Sequence, residues 1–354
     1  MANNIDIFDW YSLTGAVNKL KPAKSFILDT LFTNREQHFV RNIIFGKSED
    51  TDKLARFVHP NENPKLVAQM SLNAKQFELP ITREKKSWTA EDLAKTKPVG
   101  QVFVGGMNDI RSASNEKVFG ELAGLKNRVI RLREWMACQA ISTGAIDVSQ
   151  DNIAFKLDYG FVAGTHLITL TGNDLWSSAN SNPLTRIRTW KREMAKRGYG
   201  ATMLILGSDA ADAFVAHAKV QADQLRQGYV IGDINMTNPY TQFNNFIGRF
   251  AGVNVYEYLQ QYTNSSNVAT NMIAADRAIL IGISNDMTPG TNPFRLHYGP
   301  IYRLDKSNNP VTILNEMYLD PITNEARTYM EWTLEQCSLP AIHDPDCVIS
   351  GVVV

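Results

Sequence analysis

Cysteine is scarce in this chain of 354 residues: three occur, Cys138, Cys337 and Cys347, an odd number with no CxxC pair. That excludes the CxxC redox and metal motifs and points to a reduced, cytosolic origin. An excess of either charge is also lacking. Lys plus Arg and Asp plus Glu both number 36, so nothing global suggests a nucleic-acid binder or a polybasic membrane anchor. Such neutrality gives little self-repulsion, which suits a protein that assembles, and equally many enzymes. Long apolar runs are missing, since no window reaches the roughly 18 residues of a membrane span. The N-terminal MANNIDIFDWY has no basic n-region and no apolar core of signal-peptide length, so a soluble chain not exported by a signal peptide is expected.

Catalytic signatures are absent as well. Gly198 and Gly200 precede a strand pattern, where a dinucleotide fingerprint would follow one, and no Walker A, GxSxG or HExxH occurs. The six histidines do not cluster. The best metal candidate is Cys337, His343 and Cys347 with Asp344 and Asp346 nearby. Its spacing matches no usual zinc pattern, and Pro340 and Pro345 favour a rigid extended turn, so neither metal nor cofactor is expected.

What the chain does contain is a long helical stripe from Asn115 to Gly144. Val118, Leu122, Leu125, Val129, Leu132 and Met136 alternate steps of four and three, while Phe119, Ile130, Ile141 and Trp135 widen the buried face. Asn115 is a candidate cap and Gly144 a candidate stop. At about 1.5 Å per residue this is a rod of roughly 40 Å, which needs an extended surface to lie on.

Before it, residues 1–45 hold short amphipathic patches, and an arm of that kind must bury Phe26, Ile27, Leu28, Leu31 and Phe32 against its own domain or a neighbouring copy. From Phe45 to Gly106 only weak β patches occur, at Val40 to Phe45, Gln76 to Ile81 and Gln101 to Val104. Between Lys75 and Lys97 there are six Lys or Arg and four Asp or Glu around Trp88. This charged excursion is either a surface loop or a hairpin reaching a partner, because a lone hairpin is marginally stable.

After the helix, Ile153 to Tyr159 and His166 to Thr171 read as strands. Asn182 and Pro183 open a helix running to Gly198, whose polar side carries Arg186, Arg188, Lys191, Arg192, Lys196 and Arg197 as a solvated or acid-facing surface. Met203 to Leu206 and Ala278 to Ile283 read as buried strands, with a helix from Asp209 to about Arg226 capped by Ser208. Gly228 to Phe250 is long enough to be a contact loop. Met330, Trp332 and Leu334 share one strand face, and the apolar tail from Cys347 to Val354 should be paired in a sheet.

Three of these stretches resemble the lambda-type tailed-phage major capsid protein family (phage capsid protein E). Glu134 to Gly160, EWMACQAISTGAIDVSQDNIAFKLDYG, is similar to the family's long helix, threonine-glycine turn, short hairpin and strand closing on acidic, aromatic and glycine residues. Asn182, Pro183, Leu184, Thr185, Arg186 and Ile187 resemble its aspartate-proline helix start, with Asn182 and Thr185 in place of the usual acidic residues. Trp332 through Ser338, Leu339 and Pro340 to Asp344, Pro345, Asp346 and the final valines resemble its closing strand, proline turn and last strand. About 60 residues match as motifs, and nearly the whole chain as an order of elements.

The resemblance implies an α+β chain with the Hong Kong 97-type phage capsid fold. Residues 1–45 would be the N-terminal arm, 46–110 the extended loop, 111–171 the first part of a β-rich peripheral domain with its spine helix. Residues 172–284 would be an α/β axial domain and 285–354 the second part of the peripheral domain. The peripheral sheet would combine Ile146 to Thr171 with Arg295 to Val354. The implied function is structural and non-enzymatic: hexamers and pentamers closing into an icosahedral virion head around double-stranded DNA, assembled in the host cytoplasm. Implied partners are the protein itself, a scaffold protein, a portal and, where one exists, a cementing protein. DNA would be touched non-specifically, and no membrane is involved. Contacts between copies would fall on Phe26, Leu31, Phe32, Arg83, Lys85, Lys86, Trp88, Arg226, Tyr229, Tyr240 and Phe243. The alternatives are an encapsulin-like compartment shell and, from another class, an α/β enzyme built on Gly172 to Ser284.

Overall fold

The computed structural model describes residues 14, 25–49, 71–89, 91–92, 107–150, 153–227, 244–264, 266–284, 292–304, 309–323 and 328–354. A short helix, α1 (Phe26–Thr30), precedes the long one, α2 (Met107–Thr143), which at 37 residues is about 55 Å long. The apolar stripe is buried as its spacing requires: Val118, Leu122, Leu125, Val129 and Met136 are all inside. Asn115 is not the cap, because the helix already runs through it from Met107. Gly144 does end it, with φ 69° and its N–H donating to the Ala140 carbonyl at 3.0 Å. A Cβ at Gly144 would stand 2.2 Å from the Phe161 ring, so the turn excludes any other residue.

Two sheets flank this rod. The first is organised by the 14-residue β18 (Tyr329–Ile342). Its first part pairs antiparallel with β4 (Ile81–Thr89) and with β17 (Tyr318–Thr323), and its end pairs with β14 (Phe294–Tyr298), which carries β1 (Asn34–Gln37) in parallel. Trp88, Met330, Trp332, Leu334 and Leu319 meet the front half of α2 in one cluster, where the Trp88 and Trp332 rings pack edge to face at 4.6 Å.

The second sheet runs in the order β7 (Leu167–Thr169), β19 (Val348–Val352), β13 (Arg277–Ser284), β8 (Tyr199–Leu206), β10 (Val253–Tyr258), β9 (Asn244–Phe250). Both faces are covered, which is why its central strands read as continuous apolar runs. Leu204, Leu206, Ala278, Leu280 and Ile349 pack with the helices α3 (Pro183–Lys196), α4 (Ser208–Ala216) and α5 (Ala218–Gln227). Ile205, Ile279, Ile281 and Val348 face the other way, onto the C-terminal half of α2 and onto α1. At Gly351 the sheet approaches Trp190 of α3 so closely that a Cβ would lie 2.6 Å from its ring.

Two sequence expectations change here. The tail is paired as expected, but β19 and β7 join β13 in the second sheet, by Arg277↔Val352 to Ile281↔Val348 and Ser350↔Leu167, and are in a different sheet from β14, β17 and β18. The single helix expected from Asp209 to Arg226 is two helices broken at His217, whose extended backbone and ring Nδ1, accepting from the Lys219 N–H at 3.2 Å, start α5 anew. Gly207, not Ser208, occupies the cap position of α4. Asn182 caps α3 as expected, accepting from the Thr185 N–H at 3.2 Å, with Pro183 first in the helix.

Among the described residues, four strand pairs stand outside both sheets: β2 (Asn42–Glu49) with β3 (Ser71–Glu78), β5 (Ala145–Gln150) with β6 (Ile153–Asp158), β11 (Gln261–Thr263) with β12 (Ala269–Asn271), and β15 (Ile301–Leu304) with β16 (Pro310–Ile313). The β patch at Gln101 to Val104 and residues 228–243 of the expected contact loop lie outside the described residues.

Candidate assembly interface

The frame of this region is tied by charged side chains that the periodicity does not reveal. On α2, the buried Glu134 carboxylate accepts from the Ile27 and Leu28 N–H groups of α1, at 2.9 and 3.0 Å, and from the Tyr258 hydroxyl at 2.9 Å. It therefore satisfies donors that the start of α1 leaves free and joins the N-terminal segment to both α2 and β10. Burial raises the Glu134 pKa above its ordinary value, while these three donors pull it back. Next to it, the Arg133 guanidinium donates to Gln336 Oε1 at 2.6 Å, to Ser338 Oγ at 3.0 Å and to the Glu316 carbonyl at 3.1 Å, and lies over the Tyr298 ring. Glu335, fully buried on β18, meets Arg83 at 2.7 Å and also Arg303 of β15.

Three of the six histidines, far apart in sequence, do cluster. His38 Nε2 lies 2.7 Å from His297 Nδ1, and His297 Nε2 lies 2.9 Å from His343 Nε2. Burial, followed by the charges of His343, His38 and Arg295, lowers the pKa of His297 to about 3, and burial, followed by Arg295 and His38, lowers that of His343 to about 4. The other expected metal candidates disperse: Cys337 Sγ lies 3.7 Å from the Leu79 carbonyl, Cys347 Sγ donates to the Asp344 carbonyl, Asp346 meets His166, and Asp344 accepts from Tyr199.

The residues expected to touch other copies separate into three groups. Phe26, Leu31 and Phe32 are buried in this chain's own core, Phe26 against Tyr256 and Phe32 edge to face on Phe294. Trp88 is buried likewise, because β4 does not project as a free hairpin: it pairs along β18 from Thr89↔Tyr329 to Ile81↔Cys337. Arg83, Lys85 and Lys86 are satisfied within the chain, by Glu335, by Glu331 at 3.1 Å and by Glu121. Arg226 lies near the end of α5, and Tyr229, Tyr240 and Phe243 fall outside the described residues.

A different set of side chains is left facing solvent. Phe39 is 75% exposed and Val40 58%, just before β2, and Ile44 on β2 is 68% exposed. Leu304 on β15 is 66% exposed, with Tyr302 and Val311 beside it on the same hairpin. Arg41 links the two groups: it lies over the Tyr302 ring at 4.8 Å and donates to the Pro300 carbonyl at 3.3 Å. The sequence signal was the apolar patch at Val40 to Phe45. What it lacked was the knowledge that no third strand pairs with β2 and β3 among the described residues. Tyr302 and Leu304, two residues apart, share one face of that hairpin, and exposed apolar residues grouped in this way mark a contact surface more often than single scattered ones do.

The basic side of α3 does not converge on one ligand. Arg186 pairs with Asp174 at 2.6 Å, Lys196 with Glu193 at 2.8 Å, Lys191 donates to the Ala251 carbonyl and Arg197 to the Thr165 carbonyl. No described helix is long and apolar enough to cross a membrane.

The sequence profile described as phage major capsid protein E matches residues 9–353. Curated proteins gave no match. Among solved structures, a protein assigned as a prophage capsid protein of Escherichia coli CFT073 superposes with a TM-score of 0.69 at 14% identity, covering 98% of this chain and 99% of its own. A phage-related protein from Bordetella bronchiseptica RB50 superposes with a TM-score of 0.51 at 12% identity, covering 96% and 95%. At such identities the likeness is one of fold.

Proposed function

The chain belongs to the phage major capsid protein E family and is a structural protein of the virion shell, and we propose that its copies join through the apolar surface around β2 and β15. The observation that carries this reading is the exposure of Phe39, Val40, Ile44, Tyr302 and Leu304 on or beside two-stranded hairpins. A hairpin of two strands is marginal in water, and an apolar patch on it gains free energy when a neighbour covers it. In this reading copies form hexamers and pentamers that close into an icosahedral head around packaged double-stranded DNA, with a scaffold protein and a portal as partners. The protein acts by assembly and has no catalytic role. The zero net charge agrees with a wall that does not grip phosphate.

The division into parts follows the same reading. The first sheet with α2 is the peripheral domain, and the second sheet with α3, α4 and α5 is the axial domain. The axial unit then takes β7 and β19 in addition to the 172–284 segment. Residues 1–45 act as the arm and 46–110 as the extended loop, with β4 anchored in the peripheral sheet. Electron microscopy of the purified protein, alone and with its scaffold partner, tests the assembly. Rings and closed shells are expected, and a monomer that stays monomeric under every condition overturns the proposal.

A further inference from the structure

Glu36 lies on β1 and His38 just beyond it, two residues apart on one strand face, and the parallel register sets Glu36 opposite His297 of β14. One carboxylate oxygen and one ring nitrogen from each histidine thereby come within 4.8 Å of one another. We propose that Glu36, His38 and His297 bind a divalent cation of the zinc class, clipping β1 to the first sheet.

The geometry is close to what such an ion needs. Zinc bonds of about 2.0–2.1 Å set tetrahedral ligand atoms about 3.3 Å apart. His297 Nδ1 lies 2.7 Å from His38 Nε2 and 3.5 Å from Glu36 Oε2, and the three ligand atoms all lie within 4.8 Å of one another, so shifts of up to about 1.5 Å would seat the ion. Two imidazoles with one carboxylate suit zinc rather than the hard cations calcium or magnesium, which prefer all-oxygen sites.

The groups behind the ligands are also placed for this. His297 Nε2 is 2.9 Å from His343 Nε2, and a hydrogen bond donated there leaves the Nδ1 lone pair for the metal. Arg295 holds Glu36 Oε1 at 2.5 Å, which leaves Oε2 as the ligand oxygen. The Arg295 charge opposes the cation and moderates its affinity, and the Glu36 charge offsets it. His297 is buried while Glu36 and His38 are half-buried, which leaves the ion a way in. β1 is an edge strand whose neighbour in the sheet is β14, so a metal across the pair would hold the N-terminal segment in register.

The test uses the untagged full chain, stripped with a chelator and then given zinc alone. Equilibrium dialysis with elemental analysis should find one zinc per chain, and zinc should raise the melting temperature. Cobalt in its place should give the intense visible bands of a tetrahedral site. His38→Ala should lower zinc affinity by more than the roughly 10–100-fold lost with an outer hydrogen-bond partner, and His343→Gln by an amount within that range. His297 is too buried to vary safely, so should His38→Ala lower the metal-free melting temperature, Glu36→Gln, which keeps the shape, decides by its zinc affinity alone. Failure of the parent chain to bind zinc, or equal uptake by the parent and by both His38→Ala and Glu36→Gln, overturns the proposal. The outcome is independent of whether shells form.

Discussion

The two sheets are made in different ways. In the second, alternate residues of β8, β13 and β19 are apolar on both faces, and each face is sealed by helices of this same chain. In the first, β18 gathers strands from distant parts of the sequence, and charged groups hold them: Glu335 joins β4 and β15 across it, and Arg133 fastens α2 to it. Hydrophobic burial is non-directional and lets the second unit cover most of its own apolar residues, with Ile283 at the end of β13 46% exposed. Polar links are directional and few, and around the first sheet they leave the β2 and β15 hairpins with apolar faces in water. In the proposed reading the surfaces for association therefore concentrate on the unit that was stitched together.

The largest effects should come from the apolar seam between α2 and the first sheet. Val129→Asp puts a carboxylate among Leu122, Leu125, Trp332 and Leu334; the buried cations nearest along α2 are Lys126 and Arg133, and Arg133 is already engaged by Gln336, Ser338 and the Glu316 carbonyl. An unpaired buried charge costs several kcal/mol against a total stability of about 5–15 kcal/mol, so the soluble yield and the folded circular dichroism signal should both be lost. Normal assembly of this variant would show that the seam is not buried. Trp88→Ala should destabilise the subunit by about 3–5 kcal/mol, read as a lower midpoint in denaturant. From the sequence Trp88 sits in a charged excursion that is either a surface loop or a hairpin reaching a partner, and in both cases its loss would spare folding. A parent-like midpoint with weakened assembly would restore that earlier view.

How much could be read in the sequence follows from the range of each interaction. The stripe from Val118 to Met136 and the stop at Gly144 are local, and periodicity and a glycine were enough. The start of α2 was misplaced because Asn115 is a good cap residue in isolation, and nothing local tells that the helix passes through it. The valine-rich tail was recognisable as a paired strand, but its partner β13 lies some 70 positions earlier and pairing leaves no local trace. Glu134, Arg133 and the three histidines are ordinary residues one by one. Their roles come from tertiary placement: Glu134 meets backbone donors more than a hundred positions away.

A middle-sized effect tests one of the polar links. Glu134→Gln keeps the shape but replaces one acceptor oxygen with an amide donor facing backbone N–H groups. The expected loss is about 1–3 kcal/mol, with faster hydrogen exchange at Phe26–Thr30. The pH dependence has a definite sign. Because burial raises the folded pKa of Glu134 above its ordinary 4.5, the folded state keeps a proton that the unfolded state releases just above that pH. Parent stability relative to the variant is then greatest below about pH 4.5 and declines as pH rises through the folded pKa. A difference that grows with pH would mean that the donors from α1 and Tyr258 outweigh burial.

The smallest effect on stability carries the sharpest test of the contrast between the two units. Leu304→Asp places a charge on a side chain that is 66% exposed in the single chain, so it should move the unfolding free energy of the monomer by no more than about 0.5 kcal/mol. In an assembled shell the same carboxylate would be driven into an apolar contact between copies, where desolvation without a partner opposes association. Light scattering and electron microscopy should then show a well-folded subunit that assembles poorly, the reverse of the pattern expected for Trp88→Ala. The exposed Arg188 on α3 supplies the control, since Arg188→Ala should alter neither property if the axial unit presents a solvated face there. Assembly that survives Leu304→Asp but fails with Arg188→Ala would move the contact surface from the stitched unit to the self-contained one.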